Sequence, residues 1–169
     1  MNRIARVLLP LLLLSLVGCA ASVKQQHSSG PLPIPAEAKR ELSVSFKGND
    51  KVRANEQWPN LQQMWRDALG RAASGAGYTV SNDGRLAIRI EVLNFRYMSS
   101  GTRYGLGVMA GNAWIDATVS FEDRKTGRVY GTRQYNTSSS AWEGVFSAMT
   151  ADQVDALSRT IIDEIRNAQ

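Results

Sequence analysis

The chain has 169 residues, of which 43% are hydrophobic, so it is long enough for one domain with a packed core. Its single cysteine excludes an intrachain disulfide framework, and its single histidine leaves no cluster with the spacing of a zinc site. The formal net charge is +5, but Arg3 and Arg6 at the start contribute two of the cations, so nucleic-acid binding gains little support.

The first residues have the pattern of an export signal. Arg3 and Arg6 precede an apolar run, Val7–Val17, which is too short for a bilayer core that takes roughly 20 helical residues to cross. Leu16-Val17-Gly18-Cys19 then matches the lipobox of bacterial lipoproteins. The match implies that residues 1–18 are removed as a signal peptide, that Cys19 receives a diacylglycerol, and that its new amine is acylated, for example with palmitate. The alternative is a plain secretory signal with a cysteine near its cleavage site.

The residues after Cys19 predict where the protein is held. In lipoproteins of this type an aspartate after the cysteine retains the protein at the inner membrane, so Ala20 predicts the outer membrane, facing the periplasm. Each buried CH₂ of the acyl chains contributes about 0.8 kcal/mol, so the anchor is expected to be stable. Residues 19–40 are polar and then proline-rich, which predicts an extended tether containing a solvated His27. The folded domain is therefore predicted to span residues 41–169.

The predicted elements follow one another along that domain. Alternating apolar residues predict strands at 41–48, 78–81, 85–99, 114–123 and 129–139. Apolar residues spaced three and four apart predict amphipathic helices at 59–76 and from Thr150 onward. The sequence Asn82-Asp83-Gly84-Arg85 predicts a tight hairpin turn, and a second hairpin is predicted to close at Gly127. The apolar alternation of the third strand changes parity between Val92 and Leu93, which favours a β-bulge there.

This β-α-β-β-β-β-α order predicts an α+β fold. Strands joined in runs by hairpin turns favour a mainly antiparallel sheet, and two helices with one apolar stripe each would cover one face of it. The other face would carry Trp114, Asp116 and Thr118, partly exposed or in use.

No catalytic, metal or cofactor site is predicted. Asp116, Glu122 and Asp123 are the nearest approach to grouped carboxylates, and the last two are interpreted as hairpin residues and not as an acid–base pair. The glycine-rich segment 99–113 joins two strands and matches neither nucleotide-binding pattern, so it is interpreted as a mobile hairpin or a bulge-bearing strand.

Aromatic and arginine side chains are concentrated on the last strands and their loops. Both residue types are enriched at interface hot spots, so these positions are predicted to bind a partner. The predicted set is Arg96, Tyr97, Arg103, Tyr104, Trp114, Arg133, Tyr135 and Trp142. The alternative is that Tyr97 and Trp114 only fill the second face of the sheet, with arginine stems lying over them.

The segment 99–130 resembles the bacterial lipoprotein family known as domain of unknown function 4410. The positions that carry the resemblance are Gly101, Arg103, Gly105, Gly107, Gly111, Asp123, Thr126 and Gly127. The resemblance implies no established catalytic activity. The order of strands and helices is also similar to small envelope domains related to the N-terminal part of the translocation protein TolB and to lipoprotein cofactors of cell-wall synthesis, which bind other envelope proteins.

These features predict a non-enzymatic, lipid-anchored accessory protein that binds another component of the cell envelope, with an envelope protein as the partner and no nucleic acid. The alternative is a carrier that holds a lipid or glycan in an apolar groove between the helices and the sheet. An enzyme would need a carboxylate–Arg–Tyr site, which the sequence does not display.

Overall fold

The alternating strands and amphipathic helices pack into two layers. The computed structural model describes residues 22–26, 30–97, 113–138 and 149–169. The strands are β1 (Ser22–Gln26), β2 (Glu41–Gly48), β3 (Thr79–Val80), β4 (Leu86–Arg96), β5 (Trp114–Asp123) and β6 (Val129–Ser138). The helices are α1 (Ala36–Lys39), α2 (Asp50–Arg53), α3 (Trp58–Gly75) and α4 (Met149–Arg166).

The sheet has the strand order β1-β6-β5-β4-β2-β3, and the predicted α+β class with a mainly antiparallel sheet is confirmed. β1 pairs antiparallel with β6, β6 with β5, and β5 with β4. In contrast, β2 pairs parallel with both β4 and β3. The parallel pairing arises because α3 carries the chain back along the sheet before β3 and β4 begin, as a crossover helix does.

The predicted hairpin at Asn82–Arg85 is wrong. β2 lies between β3 and β4, and both neighbours run parallel to it, so residues 81–85 cross β2 instead of reversing the chain. At the crossing the Ser43 hydroxyl donates to the Gly84 carbonyl oxygen at 3.0 Å. A Cβ at position 84 would overlap the Leu42 carbonyl group, so glycine is required here by close approach of two backbones and not by a turn.

The β-bulge predicted in β4 is confirmed. The register against β5 shifts between Val92 and Asn94, so the extra residue is Leu93. Val92 and Phe95 are both buried, while Leu93 is 36% exposed. The bulge therefore keeps the apolar residues of the long strand on the core side after the change of parity.

The core lies between one face of the sheet and the two long helices. β5 shows the alternation most clearly, because Ile115, Ala117, Val119 and Phe121 are fully buried while the residues between them are half-buried. From α3 the core receives Trp65, whose ring centroid lies 5.9 Å from that of Phe46 in β2. From α4 it receives Val154, Leu157, Ile161 and Ile165, which follow the predicted apolar stripe. In the part of the chain that is described, no helix is long and apolar enough to cross a membrane.

The segment predicted as a tether belongs largely to the domain. Ser22–Gln26 form β1, which pairs with β6, and Leu32 and Ile34 are both 1% exposed in the core. The Leu32 carbonyl oxygen accepts hydrogen bonds from the backbone N–H groups of Ile34 and Gln169, each at 2.9 Å. The ordered domain therefore begins well before residue 41, because two apolar side chains between the prolines have a place in the core.

Candidate binding surface

The sheet face opposite α3 and α4 carries polar and aromatic side chains. We call this surface the outer face, and we define it by the outward-pointing residues of β4, β5 and β6: Arg89, Glu91, Asn94, Arg96, Trp114, Asp116, Thr118, Ser120, Glu122, Thr132, Gln134 and Asn136. Each of them is half-buried or exposed. The helices that the structure describes pack on the other face, so none of them covers this surface.

Two of the predicted partner-binding residues meet on the outer face. Arg96 of β4 and Trp114 of β5 are directly opposed in the antiparallel register, so their side chains lie on the same side of the sheet. Arg96 is exposed and Trp114 is half-buried. Tyr97, which follows β4, is half-buried and packs against the edge of the hydrophobic core. An aromatic surface with a neighbouring guanidinium is thus present at one end of the outer face.

The next row of the outer face contains a carboxylate between two amides. Asp116 is opposed by Asn94 on one side and by Asn136 on the other. Its Oδ1 atom is inaccessible to solvent and has no hydrogen-bond partner among the described residues. An acceptor left in this condition costs about 1–3 kcal/mol.

Ion pairs and hydroxyl contacts occupy the opposite end of the outer face. Arg89 donates from Nε and Nη2 to the two carboxylate oxygens of Glu122 at 2.6 and 3.1 Å, and Ser120 and Thr132 share a hydroxyl hydrogen bond of 3.1 Å. A shallow cavity of about 270 Å³ lies beside Arg89, between β2 and the crossing at Asn82. Arg89 and Glu122, and Ser120 and Thr132, thus satisfy one another within the sheet.

Arg133 and Tyr135 do not lie on the outer face. The register opposes them to Val119 and Ala117 of β5, which point into the core, and the two side chains are 2% and 0% exposed. Arg133 donates from Nε to Glu164 of α4 at 3.2 Å and from Nη2 to the Gly30 carbonyl oxygen at 2.6 Å. The prediction that these two side chains bind a partner is therefore corrected: Arg133 joins the sheet to α4 and to the N-terminal segment, and Tyr135 packs in the hydrophobic core.

The same burial argues against acid–base chemistry by this group. Arg133 and Glu164 form an ion pair next to Tyr135, which is the carboxylate–Arg–Tyr combination that an enzyme would need. Burial raises the pKa of the Tyr135 phenol well above its usual value, the Glu164 carboxylate raises it further, and Arg133 opposes the rise. Glu164 lines the adjacent cavity of about 320 Å³ together with Gly30 and Pro31, whereas Arg133 and Tyr135 do not. The phenol is thus held neutral and away from solvent.

Sequence reasoning missed this group because it needs the strand register. Arg133 and Tyr135 alternate with polar residues, and a polar strand gives no sign of which parity points inward. The structure shows the parity at Gly131, two residues earlier on the same face, where a Cβ would overlap the side chain of Leu32. That close packing marks the parity as the core side.

Several predicted residues lie outside the described part of the chain. They are Cys19 with its lipobox, His27, Arg103, Tyr104, Trp142 and the glycine-rich segment up to residue 112. Within the described ranges no three His, Cys, Asp or Glu side chains are grouped so that they could hold a metal ion.

Asp123 is an organising residue of the β5–β6 turn. Its Oδ1 accepts from the backbone N–H groups of Lys125 and Thr126 at 2.8 and 3.1 Å, and its Oδ2 accepts from Arg85 Nε and the Tyr130 hydroxyl at 3.1 and 3.0 Å. Burial raises the pKa of this carboxyl, but its hydrogen bonds outweigh burial and lower the pKa from 3.8 to about 2. Asp123 is therefore ionised at neutral pH and serves the turn, with Gly127 at φ 72° closing the hairpin as predicted.

The lowered pKa of Asp123 predicts an acid-sensitive contribution to stability. Because the folded-state pKa lies below the unfolded value, this contribution is complete above about pH 4 and is lost as the pH falls toward 2. The free energy of unfolding, measured by urea denaturation from pH 6 to pH 2, is expected to fall in that window. Asp123→Asn is expected to be less stable at pH 6 and to lose less stability on acidification.

Asp83→Asn is the matched control, since the Asp83 side chain is exposed and contacts only Arg124 at 3.8 Å. It is expected to keep the wild-type pH profile. A profile for Asp123→Asn that runs parallel to the wild-type profile would contradict the role given to this carboxylate.

Comparison with known proteins supports the fold and goes no further. No protein-family model matches the sequence, and no curated protein matches it. The PelC dodecamer from Paraburkholderia phytofirmans matches with a TM-score of 0.53 and 14% identity over 88% of this chain and 99% of that one. The protein XCC0632 from Xanthomonas campestris, of the family DUF330, matches with a TM-score of 0.50 and 15% identity over 80% of this chain and 90% of that one. At such identities the likeness concerns the fold alone.

Proposed function

We propose that this chain is a lipoprotein of the cell envelope, anchored through Cys19 in the outer membrane on the periplasmic side, that acts by binding another envelope component and not by catalysis. The observation that carries the binding role is the outer face, on which Arg96, Trp114 and Asp116 lie with no described helix above them. The anchor rests on the lipobox, and the likeness to the domain of unknown function 4410 stays a prediction beside it.

The chemistry of the outer face suits a protein partner. Trp114 and Arg96 are of the two residue types that most often dominate interface energetics. Around them lie hydroxyl and amide groups, which can form hydrogen bonds of defined direction, and the half-buried carboxylate of Asp116. A partner segment with an apolar side chain for Trp114 and an N–H or cationic donor for Asp116 would fit this arrangement.

The carrier alternative has less support. A lipid or glycan carrier was expected to hold its ligand between the helices and the sheet, but the described residues fill that space with the core side chains. Four surface hollows of about 220 to 320 Å³ on the described residues lie beside Arg89, at Gly30 and along the seam of α3 and α4. None of these hollows opens between the helices and the sheet.

A second copy of this chain is a further candidate partner. β3 pairs only with Glu41 and Leu42, so the edge of β2 from Ser43 to Gly48 has no strand beside it among the described residues. An unpaired strand edge is a template for pairing with another chain. PelC, which shares the fold, assembles as a dodecamer. Self-association is therefore one outcome that the following experiment must separate from binding of a different protein.

A photo-crosslinking scan in intact cells tests the binding role. A photoreactive amino acid placed at Trp114, Thr118 or Gln134 on the outer face is expected to form specific adducts, and the added mass is expected to be the same at all three positions. Arg71 and Arg159 on the helix side are the control positions, since both are exposed. We expect at least about a fivefold excess of adduct at the outer-face positions.

The pattern of adducts decides between the candidates. An adduct of twice the protein's own mass, from the outer-face positions or from a further probe at the exposed Ser45 on the β2 edge, would identify a second copy as the partner, and a different mass from the outer face would identify another envelope protein. Equal adducts at helix and outer-face positions, or none at the outer face, would contradict the proposed binding surface.

A further inference from the structure

One end of the sheet gathers the residues that lie closest to the proposed anchor. Ser22, the first residue of β1, is opposed to Ser138, Ser138 to Trp114, and Trp114 to Arg96. These four residues form one row across four strands, and we call it the anchor-side end. α2 lies at the same end, because the Asn49 side chain beside it donates to the Leu93 carbonyl oxygen at 2.9 Å. The N-terminal turn of α4 also lies here, where Gln153 donates to the Ala113 carbonyl oxygen at 2.8 Å.

The length of chain between Cys19 and β1 limits how far this end can move from the anchor. Three residues span at most about 11 Å when fully extended. A free tether over residues 19–40 would have spanned about 70 Å, which would leave the orientation of the domain open. Pairing of β1 with β6 removes that freedom, since the sheet itself begins at Ser22.

We propose that the anchor-side end rests on the membrane surface, with the strands upright and with Trp114, Tyr97 and Arg96 in contact with phospholipid headgroups. This inference rests on the proposed lipidation of Cys19. Adjacent strands lie about 4.8 Å apart, so Trp114 and Arg96 are about 10 and 14 Å from Ser22 along the row. Asp123, at the other end of β5, is about 30 Å away from that row.

The side chains at this end suit a headgroup layer. Tryptophan and tyrosine favour the membrane–water interface because they combine an apolar ring with a polar group. Trp114 and Tyr97 are both half-buried, so part of each ring is available. Arg96 and Lys51 of α2 are exposed and can approach lipid phosphates. Arg53 of α2 is paired with Asp50, so the contact relies on the aromatic rings as well as on charge.

Upright strands would also set the direction of the binding surface. The outer face would stand perpendicular to the bilayer, with Trp114 nearest the lipid and Ser120 and Thr132 farther into the periplasm. A partner would then meet the outer face from the side, and Trp114 and Arg96 would lie at the boundary between that partner and the headgroups.

Site-specific fluorescence quenching in vesicles tests this orientation. The full-length lipidated protein is reconstituted in vesicles of phosphatidylethanolamine and phosphatidylglycerol, some of whose headgroups carry a nitroxide quencher. Because lipidation consumes the Cys19 thiol, the variants Arg96→Cys, Thr132→Cys and Lys125→Cys each carry one site for a bimane fluorophore. Quenching at position 96 is expected to exceed that at position 125 by about threefold or more, with position 132 close to position 125.

Two controls keep the anchor and the orientation separate. Mass spectrometry of the purified protein shows whether Cys19 carries the lipid, and its absence would refute the anchor of the proposed function. With the lipid present, equal quenching at positions 96 and 125 would overturn the orientation, and stronger quenching at 132 than at 96 would show the sheet lying on its β1 edge instead.

Inserting twelve glycine and serine residues between Ala21 and Ser22 is expected to reduce quenching at position 96 to the level of position 125. Quenching that survives the insertion would overturn the short connection as its cause.

Discussion

Substituting Leu32 or Ile34 by alanine is expected to lower the free energy of unfolding by about 2–5 kcal/mol, the range for truncating a buried leucine or isoleucine. Both side chains are 1% exposed, and Leu32 packs against Gly131 of β6, where a Cβ would overlap it. The proline-rich tether predicted from the sequence would give almost no change. Urea denaturation of the signal-free chain, starting at residue 20, measures the difference directly.

Pro33→Ala is the matched control for these variants. Pro33 lies between the two buried residues and is exposed, so its substitution removes no core contact. It is expected to cost under about 1 kcal/mol, mainly because alanine gives the unfolded chain more freedom. Equal losses at positions 32, 33 and 34 would contradict the core position of this segment.

Glu164→Ala is expected to destabilise the protein by about 3 kcal/mol, because it leaves the Arg133 guanidinium buried without a carboxylate. Arg133 is 2% exposed, whereas the Glu164 side chain is 19% exposed and can be hydrated. The reverse truncation, Arg133→Met, is therefore expected to cost less, about 1–2 kcal/mol, chiefly through the loss of a donor to the Gly30 carbonyl oxygen.

The double variant Arg133→Met with Glu164→Leu separates the ion pair from the packing. Replacing both charges by apolar side chains of similar size is often neutral, so this variant is expected to be more stable than Glu164→Ala alone. Denaturation of the wild type, Arg133→Met, the single variant Glu164→Leu and the double variant forms one double-mutant cycle, which gives the coupling between the two positions. A double variant that loses the sum of the two single losses would show that the charges do not interact. Arg159→Ala, at an exposed position of α4, controls for changes in helix propensity.

The periodicity of the sequence determined most of the elements by itself. The strands at 41–48 and 114–123 have the predicted bounds, and the helix at Trp58–Gly75 differs from the prediction by one residue at each end. The bulge at Leu93 was also visible, because a strand can keep its apolar side chains on one face after a change of parity only by inserting an extra residue. These features depend on neighbours along the chain, which is the information that a single sequence carries.

The tertiary structure alone decided the order of the strands in the sheet and which residues of the polar strands face the core. The turn-like sequence Asn82–Arg85 crosses β2 because β2 inserts between β3 and β4, and no local pattern reports an insertion from 40 residues away. Arg133 and Tyr135 lie in the core because the register against β5 sets their parity, and a strand of mixed polar residues does not reveal parity by itself. Leu32 and Ile34 were hidden between prolines that favour an extended chain, a conformation that fits both a tether and a segment laid along a core. The sequence thus determined where the candidate residues are along the chain, and the fold determined that Arg96 and Trp114 share an open surface while Arg133 and Tyr135 do not.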